Sequence, residues 1–237
     1  MVKVGCCGFP TSRARYFQSF RLVEVQQTFY HPPTLATAER WRREALSDFE
    51  FSLKAWQLIT HEAGSPTYRR LRLPIAEERR GNYGSFKLTD EVMDAWKTTR
   101  EIARALKAKV IVFQCPARFG PVRENKDNLR RFFRSIDRGE FLMAWEPRGE
   151  WRREEIEELC WDLNLIYCID PFKESPLGGR TQYFRLHGKT GYRYRFTQND
   201  LLWLKGICLE GVTNYVLFNN VSMYDDAMRF KELICKG

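Results

Sequence analysis

Phe49-Glu50-Phe51-Ser52-Leu53-Lys54 alternates apolar and polar residues through six positions. Side chains on a strand point alternately to opposite faces, so Phe49, Phe51 and Leu53 share one face and Glu50, Ser52 and Lys54 the other. Val23-Glu24-Val25-Gln26-Gln27-Thr28 behaves the same way, with Val23 and Val25 set against Glu24, Gln26 and Thr28. Helical sequence follows each of them, at Thr34–Leu46 after Val23–Thr28 and, beyond a long loop, at Thr89–Leu106 after Phe49–Lys54. A strand covered by helices on its apolar face must turn its polar face inward, toward an axis it shares with other strands. That is the geometry of a closed barrel.

Working outward, eight apolar runs recur, near Val2–Cys7, Val23–Phe29, Phe49–Trp56, Lys109–Cys115, Phe141–Glu146, Leu165–Asp170, Gln182–His187 and Asn214–Asn219. Segments of helical period separate most of them: Thr34–Leu46, Thr89–Leu106, Glu124–Ile136, Trp151–Leu163, Gln198–Cys208 and Ser222–Ile234. Thr89-Asp90-Glu91 carries a capping signal at the head of its helix. This alternation in 237 residues predicts an α/β chain forming a single (β/α)8 TIM-type barrel over 1–237, a fold of about 250 residues. An open doubly wound sheet is the rival, but no GxGxxG follows the first strand. A long loop, Gln57–Lys87, follows strand three and carries Arg69, Arg70, Arg72, Arg79 and Arg80. It reads equally as a binding loop or as a solvated excursion with a short helix in it.

Thirty-nine Lys and Arg against 30 Asp and Glu give a net charge of +9, which favours anionic partners. The apolar runs are strand-length, so no membrane helix is expected, and the N-terminus lacks a secretory signal pattern. The seven cysteines form no CxxC pair, which points to a reducing cytoplasm and to cysteines acting as small buried hydrophobes. Nothing in the sequence fixes the oligomeric state.

Charged and imidazole groups gather at the predicted carboxyl ends of the strands. These are Lys54, Glu146 with Arg148, Asp170, and Arg185 with His187, with Glu24 deeper on strand two and Asn219 and Asn220 closing strand eight. Charges inside a barrel are costly unless paired, and this end of the fold carries active sites. An interior ion-pair network is the plainer alternative for any one of these residues.

Taken in order, Val23-Glu24-Val25-Gln26-Gln27-Thr28-Phe29-Tyr30, Phe49–Lys54, Trp145-Glu146-Pro147-Arg148 with Trp151, Tyr183-Phe184-Arg185-Leu186-His187-Gly188 and Phe218-Asn219-Asn220 resemble the DUF72 (YecE-like) family. The resemblance covers essentially the whole chain. It implies a TIM-type barrel and brings no assigned biochemical role. Two departures lie near the expected site: Cys6-Cys7-Gly8-Phe9 replaces small polar residues and a tryptophan, and Gln26 replaces an asparagine.

Three chemistries follow from these residues. The first is acid–base work on an anionic, phosphate-bearing small molecule or nucleotide. Glu146 is its general base or acid, His187 the proton partner, Asp170 and Lys54 further catalytic groups, and Arg148 and Arg185 the holders of charge. Glu24, Gln26, Tyr30, His61, Asn219, Asn220 and Tyr192 are the other expected substrate contacts, and the basic turn Gly188–Arg195 is a candidate phosphate loop. The second is a divalent metal on Glu146, Asp170 and His187, although the three histidines form no HxH or HExxH pair. A carboxylate pair, Glu24 with Glu146, suits a glycosidase less well among so many cations. The third is a non-enzymatic role: arginine patches interleaved with tyrosines suit nucleic acid, but no DNA- or RNA-binding motif accompanies them.

Overall fold

The computed structural model describes residues 1–236; Gly237, the last position of the expected domain, lies outside the described residues. Eight strands, β1 (Val2–Cys7), β2 (Leu22–Val25), β3 (Glu50–Lys54), β4 (Val110–Gln114), β5 (Leu142–Glu146), β6 (Ile166–Ile169), β7 (Thr181–Leu186) and β8 (Thr213–Phe218), pair in parallel in chain order. β8 returns onto β1 with Cys6 opposite Phe218, which closes the barrel. The helices are α1 (Arg13–Ser19), α2 (Gln27–Tyr30), α3 (Leu35–Glu44), α4 (Gln57–Thr60), α5 (Asp90–Leu106), α6 (Arg123–Ser135), α7 (Arg153–Asp162), α8 (Gln198–Ile207) and α9 (Met223–Cys235). Among the described residues, no helix is long and apolar enough to cross a membrane.

The helices form where apolar residues recur at helical spacing against the sheet. α5 buries Val92, Trp96, Thr99, Ala103 and Leu106 on one side and ends at Lys107, whose backbone is left-handed at φ 50°. Thr89 stands at its N-terminal cap position, but its hydroxyl donates to the Asn82 carbonyl at 2.6 Å instead of capping the helix. α8 opens with a reciprocal cap between Thr197 and Asp200. Outside the barrel, Phe86, Phe113, Phe119 and Phe132 pack ring to ring and hold the sheet to its helices. Inside, Val110, Val112, Ala144, Cys168, Tyr183 and Leu217 form a separate core along the axis.

Two departures from the sequence reading bear on the site. β2 stops at Val25 and does not run on to Phe29, so Gln26 lies in a turn and Tyr30 in α2. The Thr28 hydroxyl donates to both Val25 O (2.9 Å) and Lys54 O (2.7 Å), tying off β2 and β3 together. β3 likewise ends at Lys54, before Trp56. In keeping with the lack of a helical segment between the sixth and seventh apolar runs, 170–180 joins β6 to β7 with no helix, because Pro171, Pro176, Gly178 and Gly179 interrupt any helical run. The long 57–87 connection contains a short helix, as the sequence allowed. It carries α4 and two 3-10 turns, Pro66–Arg70 and Glu77–Asn82, and buries Phe86 in the outer core.

Candidate functional site

The polar faces of the strands stack into levels along the barrel axis. At the amino end, Glu50 of β3 pairs with Lys3 of β1 and accepts from the Tyr215 hydroxyl at 3.0 Å. One level up, Ser52 meets the Tyr183 hydroxyl at 2.7 Å, and Tyr183 donates to Glu24 at 2.9 Å. The carboxyl end holds Lys54, Gln114, Glu146 and Arg185. Side-chain alternation brings these strands' charges together as expected, since Glu24, Ser52, Lys54, Gln114, Tyr183 and Arg185 all turn inward.

Arg185 is the hub. Its Nε reaches both oxygens of Glu24 at 3.1 Å, Nη2 lies 3.0 Å from Glu24 Oε1, and Nη1 pairs with Glu146 and reaches Gln114 at 3.3 Å. Burial works to strip the guanidinium of its proton, but Glu146 and Glu24 outweigh it and hold its pKa well above the ordinary arginine value. Arg185 is only 1% exposed. The anion-holding role expected of it therefore finds no open donor: its N–H groups are spent on protein oxygens.

Glu146 also departs from its expected role. Burial acts to raise its pKa, yet Arg185 first, then Arg148, His187 and Lys54, pull it down to about 2. Such a carboxylate stays ionised and is neither a general acid nor a strong base at neutral pH. Its depressed pKa stabilises the fold above the usual carboxylate value of 4.5, and that stability is lost as pH falls toward about 2. Glu146→Gln is thus expected to be less stable than the parent at about pH 6, with the gap closing by about pH 2.5. Urea unfolding at the two pH values measures it, and a gap independent of pH would refute the assignment.

Lys54 is shifted in the same direction, but in a cation a lowered pKa disfavours the charged form. Burial, reinforced by Arg185, lowers its pKa to about 7 despite the attraction of Glu146 and Glu24. Its Nζ donates to Gln114 at 2.7 Å and sits 3.8 Å above the centre of the Phe29 ring. The amine's proton exchange is thereby brought into the neutral range.

Arg148 and His187 are the open groups. Arg148 follows β5, bonds Glu146 at 2.9 Å and donates toward His187 Nε2 at 3.2 Å, with its side chain 40% exposed. That leaves the proton of a neutral His187 ring on Nδ1, which faces Asp170 at 3.6 Å. Asp170 in turn accepts from the backbone N–H groups of His187 (3.0 Å) and Phe172 (3.2 Å), so it orients the histidine more than it meets solvent. The trio weighed as a metal site does not assemble, because Arg148 stands between Glu146 and His187. Among the described residues no three His, Cys, Asp or Glu side chains cluster as ligands.

Other expected contacts fall elsewhere. His61 is buried against the Phe29 ring and bonds Thr60 at 2.8 Å; burial, then Lys54, Arg118 and Arg148, lowers its pKa to about 3, so it stays neutral. Asn220 is fully buried and ties the Tyr194 carbonyl (2.7 Å) to Asp226 (2.8 Å), a structural post behind β8. Asn219 hydrogen-bonds through its backbone to Leu186 at 2.8 Å. Tyr192 is exposed in the turn after β7, where Lys189 is already paired with Asp200 at 2.8 Å. Gln26 bonds Glu24 from its turn, and Tyr30 lies under the Arg70 guanidinium. The Cys6 thiol is pushed by burial up to about 12, and Cys7 and Cys115 are raised as well, so none is a thiolate beside Lys54.

Three polar side chains of this network are not among the site residues expected from sequence: Gln114, Tyr183, and Ser52, which the alternation places on the inward face. The first two were within reach of the same argument: Tyr183 is two residues before Arg185, and Gln114 two after Val112, on the inward face.

This geometry has counterparts in overall fold. A DUF72 family protein from Enterococcus faecalis superposes with a TM-score of 0.74 at 16% identity, covering 99% of this chain and 96% of that one. Another from Thermotoga maritima gives 0.70 at 20%, covering 99% of each. Endonuclease IV from Thermus thermophilus gives 0.55 at 12%, covering 100% of this chain and 99% of that one. At such identities these likenesses speak to the barrel alone. No curated protein matches the chain. The family described as "Protein of unknown function DUF72" matches residues 10–235, and the chain belongs to it.

Proposed function

We propose that the carboxyl end of this barrel is the active site of an enzyme that performs acid–base chemistry on an anionic small molecule. The observation that carries this reading is Lys54, a buried amine poised near neutrality beside a permanently charged Glu146, a short step from the open Arg148 and His187. Arg148 meets the anion, with His187 held against it by Asp170. Lys54 moves the proton, and Glu146 supplies fixed negative charge that favours a cationic lysine as the proton arrives. Arg185 and Glu24 position these groups without touching substrate. The whole barrel, 1–237, serves as the one domain that frames them.

Turnover of a panel of phosphate- and carboxylate-bearing metabolites tests the reading. The parent is expected to act on at least one of them with a rate rising through about pH 7, and Lys54→Met to lose about 10²-fold or more. Activity that survives in Lys54→Met would refute it. Nucleic-acid contact is the second reading, and the observation favouring it is the exposed run Arg69, Arg70 and Arg72, of which Arg70 stacks on Tyr30.

A further inference from the structure

Beside the mouth, the long connection after β3 leans over the turn after β2 and encloses a cleft of about 900 Å³. Its roof is Arg69, Arg70 and Arg72. All three are exposed, and among the described residues none has a carboxylate or hydrogen-bond partner, whereas Arg13 at the cleft's far edge is paired with Glu44 at 2.7 Å. Three unpaired cations side by side repel one another, an arrangement that a bound anion relieves.

Arg70 shows how the roof is held. Its guanidinium lies 3.6 Å from the centre of the Tyr30 ring. Such stacking occupies the flat face of the group and leaves its in-plane N–H donors free, in the fork that matches phosphate oxygens. The opposite wall is apolar, made by Phe9 and by Trp41, whose rings meet edge to face at 6.2 Å. The floor is Gln26, whose amide bonds Glu24 and accepts weakly from Arg185 at 3.5 Å, so Gln26 forms the partition between the cleft and the buried hub. A cavity of this size, with a basic roof and an aromatic wall, suits one ligand with a phosphate at one end and a planar body at the other.

We propose that this cleft binds a nucleoside monophosphate or a phosphate monoester of the same shape. The phosphate lies on Arg69, Arg70 and Arg72, and the ring lies along Phe9 toward Gln26. The inference rests on the preceding reading for what becomes of the ligand, but binding is measurable without turnover. It also moves the phosphate subsite from the turn after β7 to the connection after β3.

Calorimetry on the full chain with AMP as probe tests it, with adenosine, inorganic phosphate and a short oligothymidylate alongside. AMP is expected to bind, and adenosine to bind at least about tenfold more weakly. Arg70→Ala/Arg72→Ala, two exposed positions, is expected to weaken AMP at least about tenfold with an unchanged melting transition. Tyr30→Leu is expected to weaken AMP by a smaller factor, because it unpins Arg70 without removing it. Lys54→Met should keep AMP affinity, so failure of the mouth chemistry and failure of this cleft are read on different variants. No AMP binding by the parent, or equal affinity in the double arginine variant, would overturn the proposal. So would an oligothymidylate that binds far more tightly than AMP, which would assign the roof to single-stranded nucleic acid.

Discussion

Arg185→Met is expected to destabilise the fold by about 3–5 kcal/mol, the largest effect of any single substitution at the site. The guanidinium is enclosed by Glu24 and Glu146. Methionine fills much of the same volume but leaves Glu24 buried without its guanidinium and Glu146 with Arg148 as its remaining ion-pair partner. Glu24 must then take up a proton or draw in water, and each course costs stability. The expected signature is a lower urea midpoint with an unchanged slope, and a loss that is partly recovered when Glu24→Gln accompanies the change. A variant within about 1 kcal/mol of the parent would show that Arg185 does not hold the interior together. The arrangement does not support Arg185 as a removable anion-binding residue, since its loss reaches the fold before it reaches any ligand.

Lys54→Met has an effect of opposite sign. A lysine whose folded pKa lies at about 7, far below the ordinary 10.5, takes up protons more readily when unfolded throughout that interval. Its burial therefore weighs against folding at neutral and acidic pH, and the penalty shrinks as pH rises from about 7 toward 10.5. Methionine retains the packing over Phe29 without the charge, so the variant is expected to be more stable than the parent by on the order of 2–4 kcal/mol near pH 6.5. The gain should fall steadily and nearly vanish by about pH 10. Paired urea titrations across that range measure it. A gain that is flat with pH, or a loss at pH 6.5, would mean that Lys54 is not held near neutrality. Stability gained at the expense of activity is the mark of a group kept for chemistry and not for folding.

The alternation of apolar and polar residues through Phe49–Lys54 was enough, with the recurring helical segments, to specify a closed barrel and to name which faces turn inward. Period two is a local property of the chain, and the demand that apolar faces meet helices needs no knowledge of distant contacts. The same argument located Glu24, Lys54, Glu146 and Arg185 together at one end. It could not determine how their charges would be divided. Whether Arg185 is an open anion site or a saturated hub depends on two carboxylates 161 and 39 residues away in sequence. Whether Glu146 or Lys54 titrates near neutrality depends on how burial and the surrounding charges balance at each, burial governing Lys54 and the converging cations overriding it at Glu146.

The ends of β2 and β3 were also set by distant contacts. Val23–Phe29 looks like one strand, yet Thr28 bonds across to the Lys54 carbonyl and turns the chain into α2, which sets Tyr30 where Arg70 can stack on it. Asn220 and His61 carry side chains that read as site residues, and packing put both to structural use instead. The barrel and the roster of charges at its mouth are written in the amino-acid order, because both follow from periodicity along the chain. Which of those charges are spent on one another and which remain for a ligand emerges only once the chain has folded, because that is set by distances between residues the sequence keeps far apart.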